Sequence, residues 1–174
     1  FYQAAKVAGL KAIVGAELTI GGTTHPPRDS NSESRVPAVC SLPVLVASQP
    51  GYRNLCRLVT RMKLGAPKGE SALALEDLEG ATEGLVVLAG RASLVGGRYG
   101  VGGLVDRLVG IFGRANVYVE IQRHLRRDEA SDNQALLDLA SAFRVPVVAT
   151  NGVRFAAPDE RPLYDVLTCI RHKT

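Results

Sequence analysis

Tryptophan is absent from this 174-residue sequence, methionine occurs once, at Met62, and aromatic residues make up only 5%. With 46% hydrophobic and 22% charged residues, the composition describes a soluble globular chain and excludes a disordered tail, a collagen-like repeat and a coiled coil. Cysteine is also scarce. Cys40, Cys56 and Cys169 are odd in number and far apart, with no CxxC or Cys/His spacing, which excludes a zinc finger and a disulfide framework and points to a reducing, cytoplasmic setting. No apolar run approaches the ~20 residues that span a bilayer, so no membrane partner is expected. Walker A, GxSxG and HExxH patterns are missing too, and no GxGxxG follows a strand.

The sequence opens on Phe1, already inside what reads as a helix, and stops on Arg171-His172-Lys173-Thr174. It is therefore read as a piece of a longer polypeptide. Its 21 basic and 17 acidic side chains leave a net charge of +4, and 16 of the 21 are arginine. That surplus is too small to establish a nucleic-acid partner, although arginine suits phosphate contacts better than lysine.

Apolar periodicity predicts alternating elements. Phe1, Ala4, Ala5 and Ala8 share a helical face, with Gly9 as a stop. A buried strand follows over 12–18, ending near Glu17. Residues 21–37 form a polar loop rich in Gly, Pro and Ser. A second strand covers 43–47, and after a Pro50-Gly51 turn comes a helix with Tyr52, Leu55, Cys56, Val59 and Met62 on its apolar face. A helical turn at 75–78, strands at 85–89, 117–121 and 146–150, and three further helices complete the series. The helix carrying Leu136, Ala140 and Phe143 has a possible capping box at Ser131 and Gln134. The last helix presents Leu163, Val166, Leu167 and Ile170 on one side. The glycines over 96–103 read as a lead-in to the helix around Leu104. Such alternation implies an α/β fold whose parallel sheet is covered on both faces, closed as a barrel or left open.

In either architecture ligands bind at strand C-termini, which selects Glu17, Ser48-Gln49, Gln122-Arg123-His124 and Asn151-Gly152-Val153-Arg154. Glu17 suits a cation ligand or a general base, or else a solvated carboxylate paired with arginine. Period-two alternation puts Glu120, Gln122 and His124 on one side, a row able to bind metal or phosphate. The plainer reading, that His124 beside Arg123, Arg126 and Arg127 starts a solvated loop, is favoured from the residues alone. Arg53, Arg57 and Arg61 recur every four residues and either follow a nucleic-acid backbone or form a solvated face. His25 and His172 have no partner at ligand spacing.

Several segments together resemble a known family. These are Phe1–Ala5 leading into Gly15-Ala16-Glu17, Gly51–Leu58, the turn Lys68-Gly69-Glu70, Tyr118–Leu125, Asn133–Leu137, and Val148–Asn151 through Pro158–Arg171. In order, they are similar to the polymerase-and-histidinol-phosphatase (PHP) domain at the front of bacterial C-family DNA polymerases, closest to the error-prone, damage-inducible kind. The resemblance covers nearly the whole chain. It implies an incomplete, distorted β/α barrel over 1–174 with its N-terminal strands missing, and a polymerase palm and fingers lying outside this chain.

It also implies a cluster of Zn, Mn or Fe ions for phosphoester hydrolysis in active relatives, and Mg in the parent polymerase domain. Carried over residue by residue, Glu17 and His124 match two metal ligands. The opening His-x-His strand of the family is not present, and Asn151-Gly152-Val153-Arg154 stands where many relatives have Asn-Asp-x-His. An aspartate ligand has become Gly152 and a histidine ligand Arg154. The expected function is thus the PHP portion of an error-prone polymerase in DNA-damage tolerance, structural and without a cofactor of its own. The alternative is a metal-dependent phosphoesterase or 3'-5' proofreading exonuclease. The expected partners are the rest of the polymerase, DNA through it, and other damage-tolerance or replication proteins.

Overall fold

The computed structural model describes residues 1–21, 40–67, 71–91 and 100–172. His25, most of the polar 21–37 loop, the Lys68-Gly69-Glu70 turn and glycines 96–97 lie outside these residues. In chain order the elements are α1 (Tyr2–Val7), β1 (Gly15–Ile20), β2 (Cys40–Val46), α2 (Gln49–Leu64), β3 (Leu85–Ala89), α3 (Gly100–Phe112), β4 (Val117–Gln122), α4 (Glu129–Phe143), β5 (Val147–Thr150) and α5 (Arg161–His172). The five strands form one open sheet in the order β1-β2-β3-β4-β5. The α/β class and the unclosed barrel follow the expectation.

Strand direction does not follow it throughout. β2 is antiparallel to both β1 and β3, whereas β3, β4 and β5 are parallel. After β2, α2 runs back along the sheet and residues 71–84 return, bridging Ile20 to Leu73 on the way. β3 therefore starts beside the end of β2, with Val46 opposite Leu85, and must run the other way. Pro43 in β2 is tolerated because the β2–β3 ladder covers only Val44 to Val46, so the missing N–H faces no partner on that side.

Alternation within the strands buries Leu18, Ile20, Leu42, Val44, Leu85, Val87, Val117 and Val119 on one face. α2, α3 and α4 cover that face with Leu55, Leu58, Met62, Leu104, Leu108, Phe112, Leu136 and Ala140 in one continuous core. The other face carries Glu17, Thr19, Ser41, Tyr118, Glu120, Gln122 and Thr150 by register. The helix layer is thus one-sided rather than on both faces, as suits a curved sheet whose inner side is lined by its own side chains.

Two local expectations are corrected. α2 starts at Gln49, with Pro50 in its first turn and the Ser48 hydroxyl accepting from the Gly51 amide at 3.3 Å. Its buried face is Gly51, Leu55, Leu58 and Met62, while Tyr52 and Cys56 are exposed. The cause is close backbone contact: a Cβ on Gly51 would lie 1.9 Å from the Gly84 carbonyl oxygen, so only a glycine edge fits against that turn. α4 starts at Glu129, two residues before the expected cap at Ser131. The Ser131 hydroxyl donates to the Asp128 carbonyl at 2.9 Å, and Gln134 reaches Asp138.

Candidate functional site

The reversal of β2 sorts the candidate positions. The C-terminal ends of β1, β3, β4 and β5 lie at one end of the sheet, and Ser48-Gln49, following β2, lies at the other. Ser48 is a helix cap there, not a ligand position. Glu17 is displaced as well. β1 runs on to Ile20, so Glu17 stands mid-strand opposite Pro43, where its carboxylate accepts from the Ser41 hydroxyl at 3.2 Å. It is exposed, and three strand spacings, about 14 Å along the sheet, separate β1 from β4.

The row on β4 is real. Gln122 Nε2 donates to Glu120 Oε1 at 3.3 Å and to Thr150 Oγ1 at 3.1 Å, and the Thr150 hydroxyl donates to the same Glu120 oxygen. The Gln122 side-chain oxygen Oε1 is then the acceptor facing His124 Nε2 at 3.1 Å. A carboxylate accepts only, so the direction of the whole chain is fixed. Glu120 sets Thr150 and Gln122, and Gln122 presents an acceptor to His124 Nε2. Glu120 also lies against Gly90 at the end of β3, where a Cβ would come within 2.7 Å of Glu120 Oε2.

A second layer holds the loop after β4. Glu129 is buried at 5% exposure, and its Oε2 accepts from the His124 amide at 2.7 Å and the Arg126 amide at 3.3 Å. Leu125 between them takes φ of +59°. Burial works against the charge on Glu129, but the amide bonds from His124, Arg126 and Leu125, with the nearby imidazole, outweigh it and hold its pKa below the ordinary value. Asn133 Nδ2 donates to the Gln122 backbone carbonyl at 2.9 Å. Arg91, next to Gly90, pairs with Asp128 at 2.6 Å and Asp132 at 2.8 Å. Its hydrogen bond to Asp128 raises the guanidinium pKa and lowers that of the carboxyl. Arg91, Glu129 and Thr150 were not singled out from the sequence. Applying the strand-terminus rule to β3 as well would have reached Gly90-Arg91.

The ligand set implied by the resemblance does not assemble. Gly152, at φ +55°, has no donor atom and lies near the Gln122 amide. Arg154 is exposed and makes no ion pair with Glu17, which stands at the opposite edge of the sheet. Among the described residues no three His, Cys, Asp or Glu side chains converge at ligating distance. These groups do not fit a metal cluster, because an arginine cation would repel one and the Glu120 oxygen is already bonded. On α2, Arg53 and Arg57 are exposed, whereas Arg61 is held by Asp77 at 2.6 Å. His172 is exposed in the last turn of α5. No helix among the described residues is long and apolar enough to cross a membrane.

Residues 1–124 match the family described as PHP domain. The chain is 33% identical over 99% of its length to an error-prone DNA polymerase of Pseudomonas syringae pv. syringae, spanning 15% of that protein. It is 33% identical over 97% to an error-prone DNA polymerase of Cutibacterium acnes, and 30% identical over 98% to the DNA polymerase III subunit alpha of Pseudomonas aeruginosa. The chain thus spans about 15% of the length of these curated relatives.

Proposed function

We propose that this chain, which belongs to the PHP domain family, is the PHP portion of an error-prone DNA polymerase acting in damage tolerance by translesion synthesis, and that it serves there as a scaffold without hydrolytic activity. The observation that carries this reading is the closed row Glu120–Thr150–Gln122–His124 beside Gly152 and Arg154. PHP relatives generally depend on metal. In this chain the strand ends that such an ion would need are bonded to one another, and one carries a cation. A phosphoester would find Arg154 and Arg123 there, but no assembled means of generating hydroxide.

The polymerase chemistry belongs to the remainder of a chain several times longer, and DNA reaches this portion through it. The test is to purify this chain and the whole polymerase, measure bound Mn, Zn and Fe, and assay phosphoester hydrolysis with and without chelator. The expected result is substoichiometric metal and no chelator-sensitive turnover. Stoichiometric metal with metal-dependent hydrolysis overturns the scaffold reading in favour of a phosphoesterase or exonuclease.

A further inference from the structure

α2 turns to solvent a side that neither the core nor the row on β4 uses. Its residues, Gln49–Leu64, include Arg53, Arg57, Arg61 and Lys63 and no carboxylate. Arg53 and Arg57 are exposed, roughly opposite the buried stripe of Gly51, Leu55, Leu58 and Met62. Arg61 is taken by Asp77, and Lys63 donates to the Ser71 hydroxyl at 3.2 Å. Arg53 and Arg57 have no ion-pair partner among the described residues. We propose that Tyr52, Arg53 and Arg57 form a contact surface for single-stranded DNA, the unpaired template of the polymerase, with the two guanidinium groups on neighbouring phosphates and the tyrosine ring against a base. This rests on the reading of the chain as part of such a polymerase.

Spacing, charge and the tyrosine ring select this occupant. Four residues of helix rise about 6 Å, so the arginines form a row that a backbone with one charge per nucleotide can follow, and guanidinium forks match phosphate oxygens. Tyr52 stands beside Arg53, 46% exposed and with no other ring packed on it among the described residues. Apolar periodicity alone would bury this ring, but the approach of Gly51 to Gly84 turns it outward. A flat π-face is thereby left at the head of the basic row. Cations that track the backbone, with an aromatic ring on which a base stacks, hold single strands whatever their sequence. A duplex keeps its bases stacked on one another and leaves the ring unused, and an acidic peptide brings no base to it. The surface faces outward from the helix layer, whereas Glu120, Gln122 and Thr150 lie on the opposite face of the sheet, so the two do not overlap.

The experiment measures, as a function of salt, the affinity of the whole polymerase for a primer–template with a long single-stranded overhang and for a blunt duplex. Each phosphate contact on a single strand adds about 0.7 to the slope of log affinity against log salt, so Arg53→Gln with Arg57→Gln is expected to lower the slope on the overhang by about 1.4 and leave that on the duplex unchanged. Tyr52→Leu is expected to weaken overhang binding about fivefold at an unchanged slope. All three side chains are exposed, so thermal melts of the variants are expected to match wild type. In the wild-type polymerase, 5-iododeoxyuridine in the overhang is expected to photocrosslink to Tyr52, which needs no variant. An unchanged slope on the overhang, or no adduct at Tyr52 from any overhang position, overturns the proposal. An equal fall on the blunt duplex also overturns it, because a duplex is then the occupant. So does a polyglutamate peptide whose binding the double variant abolishes while the DNA slope stays as it was. Primer extension by the same preparations keeps the two readings apart: its absence overturns the polymerase reading and this proposal with it, whereas an unchanged slope with intact extension overturns this proposal alone.

Discussion

Replacing Gly51 with alanine tests whether the contact between α2 and the turn before β3 sets the orientation of that helix. In an exposed helix, glycine to alanine gains about 0.5–1 kcal/mol from backbone entropy. At Gly51 the new Cβ meets the Gly84 carbonyl oxygen at 1.9 Å and the carbonyl carbon at 2.5 Å, where side-chain carbons essentially never come within 3.0 Å. The helix must therefore move by at least about 1.1 Å, against a turn whose Gly84 has φ +71° and little freedom to yield. Overpacking of rigid neighbours costs about 1–3 kcal/mol, and backbone against backbone belongs at the upper end. Subtracting the helical gain leaves a loss of about 2 kcal/mol, or roughly 4–8 °C in melting temperature for a domain of this size.

Gly110→Ala in α3 is the matched control, since a Cβ there meets nothing within 4 Å. It is expected to melt about 1–4 °C above wild type, from the same entropy gain with no clash. Thermal melts of both variants by circular dichroism decide the matter. If Gly51→Ala melts at or above wild type, or both variants shift in the same direction, the close approach does not set the helix face.

Leu108 is fully buried in the core between α3 and the sheet, so Leu108→Ala is expected to lose about 2–5 kcal/mol in urea unfolding. Glu129 has a folded pKa below its unfolded value, so its contribution is present above the ordinary glutamate range, about 4.3, and is lost as pH falls through the folded pKa. Acidification is therefore expected to lower the protection of the 124–126 amides relative to their intrinsic exchange rates, and Glu129→Gln to remove that pH dependence; equal protection in the variant and wild type at neutral pH would refute the role given to its carboxylate.

Local signals carried most of the element plan. The strand at Leu85–Ala89 and the helix stop at Gly113 are written in short apolar runs and a glycine that takes φ +78°. The Glu120–Gln122–His124 row follows from period-two alternation alone. What could not be read locally depends on distant contacts. The direction of β2 is set by where residues 71–84 return, the face of α2 by Gly84, and the end of β1 by its pairing with Cys40 rather than by the polarity of Glu17. Thr150 and Glu129 join the site from β5 and α4, thirty residues and five residues away from their partners Glu120 and His124, and neither has a motif to announce it.

The inverted second strand has an evolutionary consequence. It gives the molecule two poles separated by the length of β3, roughly 16 Å at strand rise. One pole holds the close Gly51–Gly84 joint, and the other holds Gln122, His124, Thr150 and Arg91. Changes that far apart add rather than compound. Residues at the polar end, Gly152 and Arg154 among them, can be exchanged one by one without a penalty arising at the joint. Such a division lets the polar end vary in sequence while the packed end keeps the fold.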